Sequence, residues 1–159
     1  MIEIQPITGR NWVEALALRV SADQDKFVPS VAISLAKAYI RPDGITYDPY
    51  GIYSFEHDAL VGFYCYMYRP HDMRVVYIGG FLIDEKYQRQ GFGVQAMQAF
   101  LARVQDESPE SEGVYLTVHP ENSAAENFYG RFGFAKTGLV IDGEDAMGLN
   151  FEYRPVVSE

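Results

Sequence analysis

The run VVYIGGFLI at 75–83 is followed by the loop DEKYQRQG, by an apolar stripe at helical spacing, and by the short run VYLTV at 114–118. Two β-branched and aromatic runs joined through a helix leave the chain little freedom. They make a strand–helix–strand crossover, and such a crossover sets its two strands parallel within one sheet. The rest of the chain must complete that sheet and cover its faces.

Periodicity supplies the other elements. IEIQPI alternates apolar and polar residues as an edge strand does. Thr8 is placed to cap a helix with Val13, Leu16, Ala17 and Val20 as its stripe. SADQDKFVPS breaks that helix; Ser30 caps a second one, which turns Val31, Leu35 and Ala38 inward and stops before Pro42. RPDGITYDPY reads as a loop rich in turn formers. GIYSF and LVGFYCYMY are strands joined by the short connection EHDA. After the glycine-rich loop, Val94, Met97, Leu101 and Val104 form the buried stripe of a helix, and a further helix runs from near Asn122 to Phe132. AMGLNFEY closes the chain with Met147, Leu149, Phe151 and Tyr153 on one face. The predicted order is strand, helix, helix, three strands, helix, strand, helix, two strands. That is an α/β (α+β) fold with a mixed sheet of about seven strands and about four helices. No repeat or linker interrupts it, so 1–159 is expected to be a single domain.

The junction YQRQGFGVQA holds more than a turn requires. Gly91 and Gly93 stand at a helix start, where unpaired N–H groups and the positive dipole end favour an anion. Without a Cβ at either position, a bulky phosphate can approach the backbone. Gln88, Arg89 and Gln90 add donors, so the stretch is suited to a pyrophosphate. A plain glycine-containing turn with solvated polar residues is the competing reading. A P-loop is excluded by the lack of a Gly-Lys-Ser/Thr run, and a dinucleotide fingerprint by the missing third glycine.

Composition narrows the function classes. Thirteen Lys and Arg against 22 Asp and Glu give a net charge of −9, which repels a nucleic-acid backbone and is compatible with a small cationic partner. No apolar run approaches the roughly 20 residues a membrane span needs, and MIEIQPITGR does not read as a signal peptide. The single cysteine, Cys65, excludes an internal disulfide and points to a cytoplasmic setting. It is expected to be a core residue beside Val61, Phe63 and Met67. His57 and His71 show no metal-ligand spacing, and no metal is expected.

Two motifs taken together carry a family resemblance. Gln88-x-x-Gly91-x-Gly93 resembles the acyl-CoA pyrophosphate loop of the GNAT acetyltransferase superfamily. Asn122-x-x-Ala125-x-x-Phe128-Tyr129-x-x-x-Gly133-Phe134 resembles that superfamily's second motif. The likeness spans nearly the whole chain, and LRVSADQDKFVPS and the segment up to the glycine loop are similar to bacterial diamine/spermidine N-acetyltransferases. The resemblance implies a GNAT fold whose mostly antiparallel central sheet splays at the acyl-CoA site. It implies acetyl-CoA as co-substrate and a small primary amine as acceptor, attacked directly through a tetrahedral species. It further implies that Phe81, Leu82 and Ile83 pair with the pantetheine arm, with the Leu82 N–H on the acetyl carbonyl. Gln88, Arg89, Gln90, Gly91, Phe92 and Gly93 would hold the pyrophosphate. Asn122 would touch the arm or order the helix start, Phe128 would pack beside the arm, and Tyr129 would protonate the departing thiolate. A homodimer is expected on the same ground.

The base is left open. Strand positions that can carry a carboxylate in polyamine acetyltransferases read Ile78-Gly79-Gly80 here. The two glycines either widen the acceptor pocket or mark a bulge. Asp23 and Asp25, in the loop between the first two helices, and His119, after VYLTV, are the acceptor-side candidates; Glu56, Asp58, Asp142, Glu144 and Asp145 read as surface charges. Tyr64, Tyr66 and Tyr68 form either an aromatic wall for a cation or packing beneath a helix. Other amines remain open as acceptors, including amino acids, aminoglycoside-like amines and a protein N-terminus. So does a non-catalytic acyl-CoA-binding sensor.

Overall fold

The computed structural model describes residues 1–151. Its elements are β1 (Ile2–Pro6), α1 (Trp12–Leu16), α2 (Val31–Ile40), β2 (Thr46–Ser54), β3 (Ala59–Arg69), β4 (Asp72–Ile83), α3 (Phe92–Glu107), β5 (Gly113–Val118), α4 (Ser123–Gly130), β6 (Ala135–Ile141) and β7 (Glu144–Asn150). The order of strands and helices is the one periodicity predicts. The seven strands form one sheet in the order β1-β2-β3-β4-β5-β7-β6. Every neighbouring pair is antiparallel except β4 and β5, the two strands of the crossover.

Alternation along β3 divides the core between the two sheet faces. Leu60, Phe63 and Cys65 join Leu82 and, from α1, α2 and the loop between them, Ala15, Leu18 and Val31. Tyr64 and Tyr66 face the other way and pack with Met97, Phe100 and Val104 of α3. The Tyr64 and Tyr66 rings lie 5.4 Å and 5.5 Å from the Phe100 ring. The tyrosines therefore support a helix and do not wall the acceptor. Val61 lies with them, not with Cys65, because the β2–β3 register slips after Ile52, and a bulge exchanges the faces of everything beyond it.

Other differences are local. Asn11, not Thr8, precedes the first turn of α1; that helix buries Ala15, while Val13 and Leu16 are exposed. Ser30 caps α2 as expected, its hydroxyl accepting from the Ile33 N–H at 3.3 Å. β2 takes in Thr46–Tyr50, which read as loop; pairing with β3 overrides the turn-forming sequence there. Tyr153 lies outside the described residues. None of the helices described is long and apolar enough to cross a membrane.

Candidate active site

β4 and β5 pair over only three registers, Val75 with Gly113 to Tyr77 with Tyr115. Past that point Ile78–Ile83 and Leu116–Val118 diverge, and the gap opens into a cavity of about 690 Å3. Its lining brings together Ile78 to Ile83, the loop Gln88–Arg89 and Gly91–Val94, the end of β5 to His119, and Asn122, Phe128 and Tyr129 of the α4 region. Because residues from both sheet faces line it, the fork is a passage through the sheet.

The glycine loop forms one mouth. Gly91 has φ +86° and opens α3 as its N-cap; the space where its Cβ would stand is empty. A left-handed backbone over open space is what glycine supplies at a helix N-terminus that receives an anion. At Gly93 a Cβ would stand at ordinary van der Waals distance, 3.5 Å, from the Phe128 ring. The three donors divide. Gln88 is held internally, its amide donating to the Ile83 carbonyl at 2.9 Å and to the Gln24 side chain at 2.8 Å. Gln90 is turned to His57 at 3.2 Å and to the Lys86 carbonyl, and does not border the cavity. Arg89 borders it, is exposed and has no ion pair among the described residues. Arg131, which sequence reasoning missed, adds a second cation to the lining, 5.5 Å from the Phe128 ring centroid.

β4 carries a bulge at its centre. Register slips between Phe63 and Cys65, and Gly80 has φ +59°. The Cβ positions of Gly79 and Gly80 are taken by Met67 Sδ and by Ser34 Oγ, the latter at 2.7 Å. The bulge reading accounts for both glycines, although both also border the cavity. The bulge also sets which amides face the gap. Asp84 donates its N–H to the Val61 carbonyl at 2.8 Å, and Leu82 pairs with Phe63. Alternation along that ladder sends the Leu82 N–H toward β3 and the amides of Phe81 and Ile83 toward β5. The Leu82 N–H therefore does not face the gap, as its expected contact requires; its side chain is buried beneath α1 and α2.

α4 supplies the aromatic floor. The Asn122 side chain accepts from the Ala125 N–H at 3.2 Å and so orders the helix start. Phe128 stacks on Phe81 with centroids 6.0 Å apart and planes at 15°, and Tyr129 sits 5.4 Å from Phe128 and 5.8 Å from Phe134. The Tyr129 hydroxyl has no hydrogen-bond partner among the described residues, and burial pushes its phenol well above the ordinary tyrosine range. It stays protonated at neutral pH and can donate.

The opposite mouth is closed by the loop between α1 and α2. Asp23 and Asp25 are exposed and do not border the cavity; Asp23 accepts from the Ser21 hydroxyl at 2.6 Å instead. The same loop contributes Gln24, Phe27 and Val28, with Phe27 5.1 Å from the His119 ring. Lys26 pairs with Glu121 at 3.0 Å. The loop is thus tied to the glycine loop through Gln24 and to the β5–α4 connection through Lys26. Glu144, at the start of β7, also lines this mouth. Nothing local marks Gln24, Phe27 or Glu144, because only long-range pairing brings them here. No cluster of potential metal ligands occurs among the described residues.

A forked mixed sheet with a glycine-led helix at one mouth and an unbonded tyrosine inside defines an acyltransferase architecture. Residues 19–134 match the acetyltransferase (GNAT) family, and the chain belongs to that family of N-acetyltransferases. It is 32% identical over 152 residues to the spermine/spermidine N(1)-acetyltransferase of Bacillus subtilis strain 168, covering 92% of this chain and 96% of that one. Among solved structures, the ribosomal-protein-S18-alanine N-acetyltransferase of Escherichia coli is similar with a TM-score of 0.70 at 18% identity, covering 100% of this chain and 99% of that one. A GNAT family acetyltransferase from Elizabethkingia anophelis with acetyl-CoA bound has a TM-score of 0.64 at 15% identity, covering 94% of this chain and 97% of the other.

Proposed function

We propose that this enzyme transfers the acetyl group of acetyl-CoA to a primary amine of a small cationic acceptor, with a polyamine or diamine the best fit. The observation that carries the reading is the cavity itself. One passage through the sheet joins an anion-ready helix start, two outward amides on a diverging strand, and a protonated tyrosine. Bound there, acetyl-CoA supplies a thioester whose carbonyl an amine can attack. Gly91, Gly93 and Arg89 would hold the diphosphate, with Arg131 as a further cation at the rim. Phe81 and Ile83 would offer backbone groups to the pantetheine arm as an added strand does, and the Phe81 N–H would stabilise the developing oxyanion. Phe128 and Phe92 shape the apolar part of the channel, and the Tyr129 hydroxyl would protonate the leaving sulfur. The name of the B. subtilis relative supports a polyamine acceptor, as does the net charge of −9.

The test is thiol release with a panel of amines, comparing wild type with Tyr129→Phe. The substitution is expected to cut kcat by roughly 100-fold or more, in the range of a lost general acid, while acetyl-CoA affinity holds. Equal turnover by the two proteins removes Tyr129 from the mechanism. The reading also places the enzyme in the cytoplasm as a homodimer. The supporting features are a single buried cysteine and an edge strand, β6, with Leu139, Val140 and Ile141 exposed. Light scattering that returns a monomer mass removes the dimer.

A further inference from the structure

We infer that Glu144 receives the acceptor's ammonium group and takes its proton before attack, a role that rests on the acyl-transfer reading above. Among the described residues Glu144 is the one carboxylate that lines the cavity; every other lining group is apolar, aromatic, hydroxyl, amide, imidazole or cationic. Its position is fixed by register. Val118 of β5 pairs with Asp145, and one step further along this antiparallel ladder His119 comes opposite Glu144. Opposed side chains share a face. Leu116 and Val118 point into the core beneath α3, so His119 and Glu144 lie on the other face, with Phe27 and Val28. Tyr129 and Phe128 pack in the α3-side core. The passage therefore has a donor side and an acceptor side, and the acceptor side holds a single carboxylate.

The step balances in these terms. The Glu144 carboxylate takes one proton from the ammonium and leaves a neutral amine. The nitrogen lone pair forms the C–N bond to the thioester carbonyl carbon. The C–S bond then breaks with its electron pair on sulfur, which takes the Tyr129 proton. The second nitrogen proton restores Tyr129, Glu144 releases its proton to solvent, and one proton appears per turnover. Half-burial holds the Glu144 carboxyl above the usual carboxylate range; His119 of β5 and Lys37 of α2 oppose that shift, and Asp142 in the adjoining turn adds to it. A more basic carboxylate is better matched to an amine than a solvated one.

The experiment measures kcat/KM for spermidine across pH, with acetyl-CoA affinity and thermal melting followed in parallel. The proteins are wild type, Glu144→Gln, Glu144→Asp and His119→Gln. A weakly basic amine, already neutral at the assay pH, is run beside spermidine. Glu144→Gln is expected to lower kcat/KM for spermidine roughly 100-fold and to abolish the acid limb of the profile, with acetyl-CoA affinity and melting unchanged. The weakly basic amine should lose far less, and Glu144→Asp should restore part of the rate. Wild-type kinetics in Glu144→Gln overturn the inference, as does an acid limb that persists there and vanishes in His119→Gln. A wild type that binds acetyl-CoA yet acetylates no amine overturns the acyl-transfer reading itself.

Discussion

Tyr64 and Tyr66 stand two residues apart on the same face of β3, yet their hydroxyls differ. Tyr66 shares a hydrogen bond of 2.9 Å with the buried Ser108 hydroxyl. The Tyr64 hydroxyl is buried with no partner among the described residues. A buried polar atom without a partner costs about 1–3 kcal/mol, and removing it recovers part of that. Tyr64→Phe is therefore expected to raise stability by roughly 1 kcal/mol and Tyr66→Phe to lower it by a similar amount, because the latter orphans Ser108. Urea midpoints at equal slope decide it, and a destabilised Tyr64→Phe would falsify the assignment. Cys65 belongs to the same strand. Burial pushes its thiol up to about 12, so no thiolate forms at neutral pH. Ellman's reagent should label it only as fast as the native protein opens, and within seconds once the chain is unfolded; rapid native labelling would contradict this burial.

At the scale of elements, α3 and its leading loop do two jobs. The helix buries Phe92, Ala96, Met97, Phe100 and Val104 against the sheet. Phe100→Ala removes the ring that both β3 tyrosines touch and is expected to cost about 3–5 kcal/mol. Gly91→Glu changes little packing, since open space surrounds the site, but it forces a side chain onto a left-handed backbone and sets a negative charge at the helix start. Acetyl-CoA affinity should fall at least tenfold while the fold persists; calorimetry reports the affinity, and an unaltered value dismisses the cradle. These elements were legible because their signals are local: a period of two in the strands, a stripe in α3, Ser30 before α2, two glycines before a helix. The bulges were not. Val61 and Gly80 each move one residue out of phase, and the exchange of faces that follows depends on the neighbouring strand. The carboxylate at the cavity was hidden for the same reason. Glu144 after Asp142-Gly143 reads as a charge beside a turn until β5 is laid against β7, and Asp23 and Asp25 belong to a loop that borders the cavity but are themselves exposed and do not line it.

For the whole molecule, the sheet is two blocks, β1 to β4 and β5 to β6, joined within it by three registers. A ligand seated in the fork touches both blocks and replaces the pairing that the fork gives up. Saturation at about 100 times Kd should add close to 2.7 kcal/mol, or roughly 5–10 °C in melting temperature for a chain of this size. Coenzyme A without its acetyl group should give most of that shift, because the contacts lie along the arm and the diphosphate; a flat melting curve would count against the site.

The ties of Gln24 and Lys26 across the fork have a kinetic meaning. The Lys26–Glu121 pair is largely solvent-exposed, and such a bond adds little to stability. A tie that weak is expected to slacken as electrolyte screens it, leaving the Gln24–Gln88 hydrogen bonds to hold the loop. If the fork holds a thioester as proposed, its loss to water is expected to rise with salt.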